Sequence, residues 1–258
     1  MKVSIITVCY NSAATIEQSF QSVFSQDYPK IELVVVDGGS TDGTLEIIDK
    51  YRDQIGQKLS EPDDGIYHAM NKGLALATGD VIGILNSDDF YTNNSIISAV
   101  VKELSKDSVD AVYGDVTIVS SRNIKKIVRY YSSKSFRPEG LAHGYMPAHP
   151  TFFTMKKFYL RQGGFKTDYV IAADYELLIR FLLKDKLRTK YMELNMVTMR
   201  LGGRTSSSLW GYYILNKEVI RACAENGIKI GWFVIFKKYF NKFRELKKPV
   251  PFKLHRDG

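Results

Sequence analysis

The residues best suited to chemistry in this 258-residue chain are carboxylates placed at turns. Asp37 opens the turn Asp37-Gly38-Gly39, Asp63-Asp64 form a second acidic site, and Asn86-Ser87-Asp88-Asp89 closes an apolar run. Asp174 opens a later apolar pattern, Leu177-Leu178-Phe181-Leu182. Adjacent Asp carboxylates are hard oxygen ligands of the kind that suit Mg2+ or Mn2+. Acids facing an anionic phosphate need such a cation between them. The usual metal-free phosphate cradles are missing, since there is no GxxxxGK[ST] and no GxGxxG after the first strand. Each acid also suits a plainer task. Asp88 or Asp89 could cap a helix or close an Asx turn, Asp37 could form a turn, and Asp174 could be a helix N-cap.

The elements that must position these acids read as strand and helix in alternation. Val3 to Val8 and Ile31 to Val36 are apolar, β-branched runs, as expected for strands covered on both faces. Short strands are expected at Gln57 to Ser60, Asp80 to Leu85 and Asp110 to Tyr113. Helices are expected at Ala13 to Ser25 (capped by Asn11 or Ser12), from Thr44 to about Arg52, at Ile66 to Ala77, and near Ser95 to Leu104. Alternation of this kind predicts a doubly wound, mostly parallel sheet, whose ligands lie outside the carboxyl ends of the strands. After Asp115 a hairpin turning at Ser120 to Asn123 is expected, then a strand at Thr151 to Met155. Helices should follow at Lys156 to Gln162, Ala173 to Leu183 and Leu209 to Glu225. With no repeat and no linker, one α/β domain over residues 1–228 is expected, with halves at 1–115 and 116–228 and a tail at 229–258.

Composition narrows the class. The chain is 45% hydrophobic, which excludes a disordered chain. No run reaches the roughly 18 apolar residues of a membrane-spanning helix. The first apolar run is short and meets polar Tyr10-Asn11-Ser12, so it reads as a strand rather than a signal peptide. Two cysteines fit a reduced, cytoplasmic setting. The formal net charge of +8 is unevenly held: Met1 to Asp115 carries 8 Lys and Arg against 18 Asp and Glu. A nucleic-acid-binding module would put basic residues throughout the sheet half, so no nucleic-acid partner is expected. A carboxylate-pair glycoside hydrolase would not need the β–loop–acid layout of the first 90 residues.

Val34-Val35-Val36-Asp37-Gly38-Gly39-Ser40-Thr41-Asp42-Gly43-Thr44 resembles the VVVDDGSTDGT element of family 2 glycosyltransferases, with Gly38 where a second Asp usually stands. Val3 to Asn11, Gly79-Asp80, Leu85 to Asp89 and Ile171 to Leu177 resemble further segments of that family in the same order, over roughly Met1 to Ser208. The resemblance implies a GT-A-like fold and a metal-dependent, inverting transferase of hexosyltransferase type acting in cell-surface polysaccharide synthesis. Thr7, Tyr10, Asn11, Asp37 and Gly39 would then hold the base and ribose of a nucleotide-diphosphate sugar, UDP being the family's commonest carrier. Asp64, Asn71 and Asn86 would line the donor site. Asp88, with Asp89 second, would hold Mn2+ or Mg2+, although Asn86 replaces the first Asp of the usual DxD. Asp174 would be the general base. His149 and Arg204, the latter in a GGxS-like loop, would meet acceptor or phosphate. The departures at Gly38 and Asn86 keep a catalytically degenerate GT-A domain as the alternative.

From Lys229 the chain holds 9 basic and 2 acidic residues. Phe233, Phe236, Phe240, Phe243 and Leu246 recur at helical spacing between Lys237, Lys238, Lys242, Arg244, Lys247 and Lys248. A basic amphipathic helix of this composition predicts attachment to an anionic membrane, here the inner face, where a glycan or lipid-linked acceptor would lie. A stripe packed on the core with solvated lysines is the other reading.

Overall fold

The computed structural model describes residues 1–202 and 209–235. The order of elements is β1 (Val3–Cys9), α1 (Ile16–Phe24), β2 (Ile31–Asp37), α2 (Thr44–Lys50), β3 (Gln57–Ser60), α3 (Ile66–Leu76), β4 (Val81–Ile84), β5 (Phe90–Tyr91) and α4 (Ile96–Leu104). It continues with β6 (Ala111–Ser120), β7 (Asn123–Tyr131), β8 (Phe153–Met155), α5 (Lys156–Gln162), α6 (Ala173–Ile179), β9 (Thr189–Arg200) and α7 (Leu209–Glu225). Two short 3-10 turns, Pro138–His143 and His149–Thr151, precede β8.

The strands form one curled sheet in the order β3-β2-β1-β4-β8-β6-β9-β5, with β7 on the outer side of β6. The ladders among β1, β2, β3 and β4 are parallel, as is the long β6–β9 ladder, while β8, β5 and β7 pair antiparallel. This is the doubly wound α/β architecture that the alternation predicted. Successive strand side chains leave opposite faces, so β1 sends Ile6 and Val8 into one core and Val3, Ile5 and Cys9 into the other. The first core is closed by α3, α6 and α7, the second by α1, α2 and α4. Gly73 of α3 lets that helix approach the sheet: a Cβ there would lie 2.4 Å from Ile6 Cγ2.

Four local expectations change. The first helix starts at Ile16 rather than Ala13, with no side-chain cap; the Ser12 carbonyl accepts the first amides, from Thr15 and Ile16, instead. The strand near Asp110 runs on to Ser120, across the expected division at residue 115. It holds because buried Asp115 accepts hydrogen bonds from Tyr130 (2.7 Å), Tyr191 (2.8 Å) and the Ser133 amide (2.7 Å), tying β6, β7 and β9 together. The helix expected to Leu183 changes at Arg180 into a π-turn, Arg180–Lys184. Strand β9, twelve residues from Thr189 to Arg200, was not foreseen. Its alternation of Met192, Leu194 and Met196 with Glu193 and Asn195 has the strand period, but Met, Leu and Glu favour helix over strand and Asn favours neither.

Candidate active site

The carboxyl ends of β1, β2 and β4 open into a cleft of about 1300 Å³, which also takes in residues from β6, β9 and the segment leading into α6. Its walls include Tyr10, Asn11, Gly39, Asp64, Asn86, Asp88, Asp89, His149 and Asp174. Residues from both parts of the chain, 85 positions apart between Asp89 and Asp174, thus share one space. Thr7, Asp37 and Asn71 do not line it. Arg204 lies outside the described residues.

At the first strand end, the Tyr10 ring is 66% exposed and available to stack on a planar ligand. Asn11 takes a left-handed backbone (φ 48°), and its Oδ1 accepts the Thr41 amide at 2.9 Å while its own amide donates to Ser40 Oγ at 2.8 Å. Asn11 therefore clasps the two strand-end loops together. Asp37 sits beneath these loops, fully buried. Its carboxylate accepts the amides of Gly39 (3.0 Å) and Ser40 (3.1 Å) and the hydroxyls of Ser40 and Ser60. Burial works against its ionisation, yet the hydrogen bonds from Ser40, Ser60 and the two amides hold the carboxyl below its ordinary value. From this position Asp37 shapes the loop from behind. Gly38 has a tight neighbour, since a Cβ there would lie 2.7 Å from Asp63 Oδ2. The position that usually carries a second acid is thus crowded by an acid from another loop.

Thr7 points into the second core beside Ile5 and Cys9, and its Oγ1 has no partner among the described residues. Asn71 is likewise committed: its amide exchanges hydrogen bonds with the Phe165 backbone at 2.7 and 2.8 Å, fastening α3 to the turn at 163–165. Asp64 projects into the cleft with its carboxylate open to solvent.

The two acids after β4 separate clearly. Asp89 is 1% exposed, accepts the Asn86 amide at 3.3 Å, and its carboxyl is raised well above the usual value by burial and then by the Asp88 charge. Asp88 is half-buried on the cleft wall, also raised by burial, with Arg200 working the other way. Arg200, the last residue of β9, donates to the Asp88 carbonyl and to Gln18 Oε1 and stacks over Phe90. Sequence reasoning passed over Arg200 because β9 itself went unseen. Two residues before Asp88, Asn86 Oδ1 is buried with no partner among the described residues.

No group of three or more His, Cys, Asp or Glu side chains among the described residues is arranged as a metal cage. Magnesium-type ions on phosphates seldom use one; they take one or two carboxylates and complete their shell from the substrate and water. Asp88 and the orphaned Asn86 oxygen are a hard-oxygen donor pair of that type, so the residues present fit a Mg2+ or Mn2+ ion.

Across the chain, Asp174 lies in the first turn of α6, and Ala172 stands at the N-cap. The carboxylate is therefore not the helix cap. Its Oδ2 is 3.3 Å from His149 Nδ1, and Oδ1 accepts the Tyr175 amide at 2.8 Å. The loop leading into α6 is held from another helix: Glu218 of α7, buried in an otherwise apolar stripe, accepts the amides of Val170, Ile171 and Ala172 at 2.7, 2.8 and 2.9 Å. Tyr67 donates to the Ile171 carbonyl from the other side. Behind Asp174, buried Glu176 pairs with Arg180 at 2.8 Å and Lys166 at 3.0 Å. A carboxylate at position 218 between Leu215 and Val219 was the only sequence sign of this brace.

The model of glycosyl transferase family 2 matches residues 4–164. A PGL/p-HBAD biosynthesis glycosyltransferase of Mycobacterium bovis is 30% identical over 222 residues, 84% of this chain and 82% of the relative. The chondroitin synthase of Pasteurella multocida is 31% identical over 185 residues, 69% of this chain but only 18% of that larger protein. Among solved structures, S. aureus TarS in complex with UDP-GlcNAc superposes with a TM-score of 0.68 at 21% identity, over 86% of this chain and 66% of that one. The mannosyltransferase PcManGT of Pyrobaculum calidifontis, in complex with GDP-Man and Mn2+, gives 0.61 at 20% identity, over 96% and 81%. A strand-end cleft of acids, a matching family model over most of the chain and a 30% identical relative agree: this chain belongs to glycosyl transferase family 2.

Proposed function

We propose that the chain moves a sugar from a nucleotide-diphosphate donor to a hydroxyl of a glycan or lipid-linked acceptor, with inversion at the anomeric carbon. The observation that carries this reading is a single cleft shared by an exposed aromatic ring and a cleft-facing acid, Tyr10 and Asp88, and by the Asp174–His149 pair. Tyr10 stacks on the base, on loops braced by Asp37 and Asn11. Asp88 with Asn86 holds a divalent cation, which when bound neutralises charge developing on the leaving diphosphate. Asp174 takes the proton of the acceptor hydroxyl as that oxygen bonds to the sugar's C1 and the C1–O bond to the diphosphate breaks on the opposite face. His149 at 3.3 Å fixes the rotamer of that carboxylate. UDP is the favoured carrier, in keeping with the UDP-GlcNAc bound by TarS, while the GDP-Man of PcManGT makes GDP the second candidate.

Residues 1–228 act as one catalytic domain in this reading, and the basic tail from residue 229 holds the enzyme at an anionic inner-membrane surface. No helix among the described residues is long and apolar enough to cross a membrane, so attachment would be peripheral.

A thermal-shift panel of nucleoside diphosphates with and without Mn2+ tests the donor site. The right nucleotide at about a hundred times its Kd, with Mn2+, should raise Tm by roughly 5 to 10 °C. No metal-dependent rise with any nucleotide would overturn the assignment.

A further inference from the structure

Helix α7 buries Val219, Ala222 and Cys223 against the core and turns a different face outward. On that face stand Trp210, 67% exposed, and Tyr213, with Lys217 exposed one turn further along. Trp210 stacks on Tyr213 with centroids 5.3 Å apart, and Tyr213 stacks on Trp232 at 5.8 Å, with planes only 11° apart. Tyr212 is exposed beside them, and Phe233 is 81% exposed. Five large aromatic side chains thus lie at the surface within 24 residues, flanked by exposed Lys217 and Lys229. Soluble proteins rarely leave such patches uncovered unless something docks there.

We infer that this aromatic stack is a membrane-interface belt: it inserts at the headgroup level of an anionic bilayer and holds the cleft toward the lipid surface. Trp and Tyr favour that depth because their rings are apolar and their N–H or O–H tips stay wet. Phe233, which has no polar tip, supplies the part that goes deeper. The occupant is argued from charge and continuity. The chain runs directly from Trp232 and Phe233 into residues 236–258, which hold 8 basic and 2 acidic residues. A second copy of the chain would bring the same basic segment against itself, and a neutral glycan would make no use of it. The helix carrying the stack is also the one whose Glu218 braces the loop before Asp174, while Val170 and Ile171 of that loop line the cleft. An enzyme seated on this belt meets an acceptor hydroxyl carried on a lipid without having to extract it.

The inference rests on the membrane-surface reading of the tail, and one experiment separates the two. The two tryptophans of the chain are Trp210 and Trp232, so intrinsic emission reports on this patch alone. The full chain is mixed with vesicles of phosphatidylglycerol and phosphatidylcholine, or of phosphatidylcholine alone. Sedimentation, the emission maximum, and quenching by lipids brominated on the acyl chain are followed together. The expected result is sedimentation with the anionic vesicles, a blue shift, and quenching. The full-length W210A/Y213A variant should partition about tenfold more weakly, a loss of about 1.4 kcal/mol, with an unchanged nucleotide thermal shift, and W210F/Y213F should restore most of the binding. Sedimentation with unshifted, unquenched emission overturns the belt and leaves the tail as the anchor. No sedimentation overturns both. A blue shift that grows with protein concentration in the absence of lipid assigns the patch to a second copy and overturns the inference.

Discussion

At the level of single residues, the acids of this cleft divide by what already holds them. Asp37 is held by Ser40, Ser60 and two backbone amides, three of these bonds falling on Oδ2 and one on Oδ1. Asp89 is closed off by burial and by Asn86. Asp88 and Asp174, like Asp63, combine a place on the cleft wall with partial shelter from water, where charge counts for more. Two outcomes follow for nucleotide binding and turnover. Asp88→Asn should abolish the Mn2+-dependent part of the nucleotide thermal shift, while Asp89→Asn, which replaces a buried carboxyl by a neutral isostere, should keep it. Asp174→Asn should bind the donor normally and lose transfer by about 10²- to 10⁴-fold, the usual share of a general base; wild-type turnover in that variant would place the base elsewhere.

At the level of elements, the loop before Asp174 is held by long-range polar braces rather than by local helix signals. Glu218 of α7 braces the loop that leads into α6, so Glu218→Ala leaves three neighbouring amides without their acceptor. Urea unfolding should show a loss of about 1–3 kcal/mol, and Glu218→Gln a smaller one, since one carbonyl oxygen remains. A second brace joins the strand starts. Glu32 on β2 accepts from Lys2 (2.7 Å), Ser4 (2.5 Å) and the Thr78 amide (2.8 Å) and hydroxyl (2.7 Å). Burial opposes its charge, but these donors outweigh it and bring the carboxyl down to about 2 from 4.5. The folded chain therefore binds this proton more weakly than the unfolded one. Its contribution to stability is full above about pH 4.5 and drains away as the pH falls towards about 2. Glu32→Gln should flatten the acid limb of a Tm-against-pH curve; an unchanged limb would assign it to other carboxylates.

For the molecule as a whole, the uneven charge takes on a spatial sense. The strands and loops before residue 115 carry most of the acids, and the positive excess follows, rising in the last segment. Such an excess binds anionic surfaces through counterion-screened attraction, with a Debye length of about 10 Å at 0.1 M salt and about 3 Å at 1 M. Partitioning onto phosphatidylglycerol vesicles should therefore fall steeply as salt rises through that range. A residual, salt-insensitive fraction would measure the apolar part of the contact. The described start of the tail adds a constraint on such work: Ile235 is buried, and Ile228 and Ile230 pack partly against the same core. A truncation that spares the fold must therefore end after Ile235.

The alternation of apolar strands and amphipathic helices and the acid-bearing turns at the strand ends were legible in the residues, because burial imposes periods of 2 and 3.6 and turns demand particular residues; the family was legible only through the resemblance of its motifs, such as Val34 to Thr44. The helix at Lys156 to Gln162 and the strand at Gln57 to Ser60 lie where that pattern put them. Strand β9 was missed because a tertiary partner, β6, makes a strand of Met- and Leu-rich sequence with little preference for one. The division of labour among the acids could not be read from the chain at all. A strand covered on both faces is apolar on both faces, so nothing in Val3 to Cys9 says that Thr7 points away from the cleft and Tyr10 towards it. Whether a carboxylate braces a loop or faces a substrate depends on donors brought from distant positions, as Ser60 is to Asp37 and the amides of 170–172 are to Glu218. Residue type sets what a side chain could do; the partners that folding delivers decide what it is left free to do.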